Sequence, residues 1–310
     1  MKIEDCGLSN NFKQLSVRYD PSHEVLWTFF NQKNMIPCAN REIVSEVIQH
    51  QEEIAKTRGV LYVNDNVYNI KYAVAASLTP NVFNLGGHLA LISGLAKNKN
   101  KEALLSYATK AIDILNNRLT RFHDCPIINI SLIQGLALGG GLEGALASDV
   151  IIAERKSLFS FPEILFNMFP GMGAFSLVMR KAGVKIADEM ILSGRQYTAE
   201  QAHAMGIVDV LVDDGEGEQA VYKWIEKNMR TSNGYLAAQK AKNRVHPITH
   251  DELMDITRLW VDVALKLTER EFSIMERFIY MQEKQYLPAN THNQVNGAAD
   301  NIVSIKRAAT

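Results

Sequence analysis

The apolar positions of the first third read as strands with one long helix. "LSVRYD" and "VLWTFF" read as strands divided by the turn signal Asp20-Pro21-Ser22. Residues 40–57 place Ile43, Val44, Val47, Ile48 and Ile54 at helical spacing behind a capping Asn40. "YAVAAS" reads as a short buried strand, and "LTPNVFNLGGHLALISGL" as a loop. Residues 101–122 form a periodic helix through Leu104, Leu105, Ala108, Ile112, Leu115 and Leu119.

The middle third runs strand "IINISLI", glycine turn, short helix, strand "DVIIAE", then "FSFPEILF". Its strands are continuous apolar runs rather than in/out alternations, which predicts a sheet covered on both faces and an α/β fold. In "TAEQAHAMGIVDVLV", Thr198 and Gln201 make a capping box, Gly206 ends the helix and a strand follows. From about residue 217 the pattern turns helical, over 218–243 and 251–284. The stretch from 288 to 310 is polar and asparagine-rich, expected as a flexible tail. The chain therefore divides into a core at 1–216, helices at 217–287 and the tail. The sequence shows no internal repeat.

Composition narrows the function classes. Hydrophobic residues make up 47% and charged residues 22%, with a net charge of −1, so no electrostatic grip on nucleic acid or membrane is expected. Cys6, Cys38 and Cys125 are isolated, which argues against a disulfide framework or cysteine metal site. No leader pattern opens the chain, and a cytoplasmic protein is expected.

The chemistry centres on "GLALGGGLEGALASD", residues 135–149. Within it "GGGLEG" satisfies the dinucleotide fingerprint G-x-G-x-x-G, with Glu163 roughly 20 residues on. The context argues against that reading. "QGLAL" separates the preceding strand from the glycines, and only about eight residues lie before the next strand, too few for a crossover helix between adjacent parallel strands.

The glutamates offer another reading. Glu143 and Glu163 each fall on the first turn of a helix, the second behind Phe161-Pro162. The helix dipole alone would account for either one. Both, however, sit among apolar residues, where a carboxyl pKa rises toward values useful for proton transfer. Two facing one cavity would separate into acid and base. The loops "NLGGHL" and "LGGGL" expose backbone N–H groups that could converge as an oxyanion hole, or simply form tight turns.

Four stretches now carry a family resemblance: "NVFNLGGHL", "QGLALGGGLEGALASDVIIAE", "FSFPEILFNMFPGMGAFSLVMRKAG" and "ILSGRQYTAEQAHAMGIVDVLV". In this order and spacing the chain resembles the crotonase, or enoyl-CoA hydratase, superfamily over about residues 13–285. The resemblance implies a spiral of ββα units with a helical C-terminal trimerisation region. It makes Gly87 and Gly140 the oxyanion-hole donors and matches Glu143 and Glu163 to the two hydratase carboxylates. No cofactor is implied, the substrate being itself a pantetheine thioester on acyl carrier protein or CoA, and no metal.

"VFNLGGHLALI" further resembles the diffusible-signal-factor synthases, which make cis-2-unsaturated fatty acids. That branch implies dehydration of a 3-hydroxyacyl thioester on acyl carrier protein followed by its hydrolysis. The alternatives are a plain enoyl-CoA hydratase and a non-catalytic partner of a sensor protein. A homotrimer or hexamer is implied. Leu138, Leu142, Met172, Phe175 and Trp260 are candidates to line the acyl tunnel, each equally readable as core. His88 stands beside the hole, either touching the pantetheine arm or facing solvent. His88-Leu89 and "GAFSLV" depart from the commonest hydratase pattern.

Overall fold

The computed structural model describes Leu8, residues 11–63 and residues 66–287. The expected tail at 288–310 lies outside the described residues. Strands β1 (Leu15–Asp20) and β2 (Val25–Phe30) form a hairpin, and α1 (Arg41–Thr57) follows, with Asn40 accepting from the N–H groups of Glu42 and Ile43. A second hairpin, β3 (Val60–Val63) and β4 (Asn66–Asn69), leads into the repeating part.

The chain then winds as a spiral in which each turn contributes one strand to a large sheet, one to a small sheet, and a helical segment. The first turn is β5 (Tyr72–Ser77), β6 (Asn81–Asn84) and α2 (Leu89–Lys97), followed by α3 (Lys101–Leu119) and the short α4 (Arg121–Asp124). The second is β7 (Ile128–Ile133), β8 (Gly135–Leu138) and α5 (Gly140–Leu146). The third is β9 (Val150–Glu154), β10 (Leu158–Ser160), a 3₁₀ helix over Pro162–Phe166, then α6 (Ala174–Ala182) and α7 (Val184–Ser193). β11 (Tyr197–Thr198), α8 (Ala199–Ala204) and β12 (Val210–Val212) complete it.

The large sheet runs β1-β2-β5-β7-β9-β12, parallel from β2 onward, and the small one β11-β10-β8-β6. Every residue of β7 and of β9 is buried, as the unbroken apolar runs predict for a sheet covered on both sides. The α/β expectation therefore holds. "GLAL", which separates β7 from the glycines, is itself a strand of the small sheet, so the glycine turn ends β8 rather than β7.

Three local readings change. The loop expected at 78–95 contains β6 and α2, a four-residue strand with asparagine at both ends and a helix capped by histidine, neither of which carries strong pattern. The helix expected to reach 122 stops at Leu119. The four residues of α4 all have positive φ, a left-handed turn held by buried Phe122 and by the buried Arg121–Asp149 ion pair. The two long C-terminal helices are four. α9 (Gly217–Asn228) covers the large sheet, and α10 (Ser232–Val245) follows. α11 (His250–Ala264) and α12 (Glu269–Tyr286) are separated by a capping box at Thr268–Glu271. α11 packs on α3 and α12 on α2, over the end of the small sheet. Cys38 and Cys125 are buried free thiols. Among the described residues no helix is long and apolar enough to cross a membrane.

Candidate active site

β6, β8 and β10 are parallel neighbours whose C-terminal ends lie nearly level, with Leu138 opposite Ser160 and Ala137 opposite Asn84. Equivalent positions in successive turns of the spiral therefore converge. Gly86-Gly87 follow β6, Gly139-Gly140 follow β8, and Glu163 follows β10.

The glycine requirement is steric. Gly86 has φ +86°, and a Cβ there would lie 2.8 Å from the carbonyl oxygen of Leu138 and 3.0 Å from the nitrogen of Gly140. A Cβ on Gly140 would lie 3.6 Å from the nitrogen of Gly87, so the two N–H groups are neighbours. Among the described residues neither donates to an acceptor within the fold. The loop that carries Gly87 is fixed on several sides. Asn84 Oδ1 accepts from Gly86 N at 2.8 Å, Ala39 N donates to Gly86 O at 2.8 Å, and Leu85 N donates to Pro37 O at 2.9 Å. The Tyr107 hydroxyl donates to Ala39 O at 2.6 Å and accepts from His88 N at 3.2 Å.

Glu143 lies on the first turn of α5 and is 1% exposed. Its Oε1 accepts from the backbone N–H groups of Met172 at 2.8 Å and Ala174 at 2.9 Å. Those donors favour the ionised form, but burial and then the charge of Glu163 push the carboxyl up to about 8. Glu163 lies behind Pro162, which opens the 3₁₀ helix. Burial pushes it up to about 7, and its Oε2 is sealed from solvent without a partner. Gly139, at φ +48°, makes room for it: a Cβ there would fall 2.2 Å from Glu163 Oε1.

Both carboxylates and both glycines open into one cavity of about 570 Å³. Leu138, Met172 and Trp260 line it, together with Met168, Met275 and Phe278. Trp260 reaches it because α11 docks closely on Gly171, where a Cβ would meet the indole at 2.4 Å and whose carbonyl accepts from Thr257 Oγ1 at 2.9 Å. Other candidates lie elsewhere. Leu142 is fully buried in the core, and Phe175 packs against that same core; neither lines the cavity. His88 does not line it either. Its Nδ1 accepts from Leu91 N at 3.1 Å as the cap of α2, and burial lowers its pKa.

The sequence profile of the enoyl-CoA hydratase/isomerase family matches residues 51–280. The chain belongs to that family. Among solved structures it resembles an enoyl-CoA hydratase from Mycobacterium avium subsp. paratuberculosis K-10 at 18% identity and TM-score 0.69, covering 87% of this chain and 97% of that one. An enoyl-CoA hydratase from Bacillus anthracis is similar at 21% identity and TM-score 0.63, covering 89% of this chain and 98% of that one. Pseudomonas aeruginosa DspI is similar at 21% identity and TM-score 0.61, again covering 89% and 98%. At these identities the likeness is one of fold.

Within this hydratase/isomerase fold, the arrangement can stabilise negative charge on a carbonyl oxygen while two carboxyl groups exchange protons beside it. Sequence reasoning missed the groups that hold the constellation in place: Gly139, Tyr107, and the N–H groups of Met172 and Ala174. The last two leave no side-chain signature. Tyr107 reads as one more residue on the buried face of α3.

Proposed function

We propose that the chain eliminates water from a 3-hydroxyacyl thioester and then hydrolyses the resulting 2-enoyl thioester, as a synthase of a cis-2-unsaturated fatty-acid signal. The observation that carries the elimination is the pair of glutamates with raised pKa, Glu143 buried and Glu163 half-buried, facing two unpaired backbone N–H groups across an apolar cavity. The finer signalling role draws its support from the "VFNLGGHLALI" resemblance and from a cavity roofed by Trp260, Met275 and Phe278, which suits an acyl chain.

The thioester oxygen sits between the N–H groups of Gly87 and Gly140. Burial raises both carboxyls toward neutral pH, so the coupled pair offers one acid and one base. Glu163 takes the C2 proton, and negative charge gathers on the oxygen in the hole. Glu143 gives its proton to the C3 hydroxyl, which leaves as water, and the C2–C3 double bond forms. In hydrolysis a glutamate takes a proton from water, whose oxygen attacks the carbonyl carbon. The hole holds the tetrahedral oxyanion until the C–S bond breaks and the thiol leaves protonated. The carrier is acyl carrier protein or CoA, which share the pantetheine arm, and three copies or a dimer of trimers assemble in the cytoplasm.

A plain enoyl-CoA hydratase is favoured by the family match and by the similar structures that bear that name. Purified protein incubated with 3-hydroxyacyl thioesters on each carrier, with mass spectrometry of the products, separates the readings. The synthase releases free 2-enoic acid, best from acyl carrier protein. 2-Enoyl-CoA thioester in equilibrium with the substrate, with no free acid released, establishes the plain hydratase. Glu143→Gln and Glu163→Gln each lower turnover by at least about 100-fold while the protein stays folded. Unchanged behaviour in both variants would instead mark a non-catalytic sensor partner.

A further inference from the structure

Behind the glycine turn lies a second cavity of about 120 Å³, enclosed by α1, α3 and the large sheet. It shares Ala39, Ala111, Gly140 and Met172 with the main cavity, so these residues form the partition. Met172 is its movable member, since its sulfur packs on Gly140, where a Cβ would lie only 2.9 Å away. An unbranched thioether swings at low cost, whereas alanine and glycine have nothing to swing.

The walls of this annex are largely apolar, with Ile43, Val47, Ile54 and Phe83 among them. Three further lining side chains each keep a buried polar atom without a partner: His50 Nδ1, Gln51 Oε1 and Arg118 Nε. Other atoms of the same groups are engaged. His50 Nε2 pairs with Thr28 Oγ1 at 2.9 Å, and Arg118 Nη2 donates to Ser148 Oγ at 2.7 Å. Buried polar atoms are rarely left unpaired, so three around one small cavity call for a reason. A plain hydrocarbon tail would leave all three unsatisfied. Arg118 follows Ala111 by seven residues on α3, about 10 Å further from the partition.

We infer that the annex receives the far end of the acyl chain, past Met172, and that this end carries a hydroxyl group. A hydroxyl has one hydrogen to give to Gln51 Oε1 and two lone pairs to accept from Arg118 Nε and from His50 Nδ1, the imidazole taking the tautomer in which Nε2 accepts from Thr28 Oγ1. The apolar walls hold the methylenes that lead to it. This inference rests on the acyl-thioester reading for its ligand class.

Calorimetric titration of the full chain with plain and ω-hydroxy fatty acids, matched over a range of lengths, tests it without turnover. At the length that reaches the annex, the ω-hydroxy acid binds at least about 10-fold tighter than its plain counterpart, because only it satisfies the orphaned groups. Gln51→Leu combined with His50→Phe removes that preference and leaves plain-acid affinity in place. Gln51→Met serves if the double variant does not fold. Equal or weaker binding of the ω-hydroxy acid at every length overturns the inference, and so does a preference that survives the substitutions. The first result would mean that the annex holds only water. A preference retained in a protein that turns over no thioester would count against the dehydratase reading alone.

Discussion

Glu143 owes its protonation state to its position more than to its helix. The dipole of a seven-residue α5 and two backbone donors both favour the carboxylate, yet burial beside Glu163 prevails and the group sits near 8 instead of 4.5. Glu163 is raised in the same sense, to about 7. The fold therefore keeps protons that the unfolded chain releases once the pH passes about 4.5. The stabilisation is complete below that pH and is lost as the pH rises through about 7 and then about 8. Each carboxyl contributes a slope of about 1.4 kcal/mol per pH unit across its own window. Urea unfolding at a series of pH values is expected to show wild-type stability falling from pH 5 to 8.5. The double variant Glu143→Gln, Glu163→Gln should lose that fall and keep only the rise below about pH 6.5 that the buried imidazoles of His50 and His88 contribute; slopes parallel to wild type would refute the raised values. At this scale the sequence was informative because both acids stand among apolar neighbours. It was silent about what fixes them, since Met172 and Ala174 act through N–H groups that every residue but proline has.

Elements were legible wherever a face repeats, as in α1 and α3, or an apolar run is unbroken, as in β7 and β9. They were illegible where the chain is short or strained. The left-handed turn α4 is the clearest case, because "RFHD" contains no glycine or asparagine to announce positive φ. Its neighbours impose the conformation: Phe122 anchors in the core, Arg121 pairs with Asp149, and Cys125 Sγ donates to the Phe122 carbonyl at 3.0 Å. His123, at φ +58°, is exposed. A Cβ in this region costs about 1–2 kcal/mol per residue, partly offset by the extra freedom glycine gains on unfolding. His123→Gly is therefore expected to stabilise the protein by roughly 0.5–1 kcal/mol, seen as a higher urea midpoint at unchanged slope. His123→Val should lower the midpoint. A fall with glycine would mean that the imidazole stabilises the turn.

For the whole molecule, the spiral explains why chemistry assembles where it does, although no sequence repeat announces it. The three turns share geometry without sharing residues, and what coincides is the end of a small-sheet strand in each. The C-terminal helices complete the cavity through Trp260, Met275 and Phe278, but α10 has no such task. None of its 14 residues is buried, and Val245 is 72% exposed. Tyr235 and Leu236 tie it to the core, against the cluster under α9, and most of its surface stays open. It also supplies Lys240, Lys242 and Arg244 to a cleft of about 700 Å³ whose other walls include Arg58, Arg118 and Arg180. Asp124 and Asp149 are the acids among its walls, so the cleft keeps an excess of positive charge that an acidic surface on another copy would complement. Light scattering is accordingly expected to give about three times 34.7 kDa, or twice that trimer, at low salt. Raising the salt should shift the equilibrium toward smaller species, because exposed charge pairing is screened beyond about 10 Å at 0.1 M. Val245→Asp should dissociate the assembly and raise hydrogen exchange across 232–245. A wild-type monomer in which α10 stays protected would show that the helix needs no second copy.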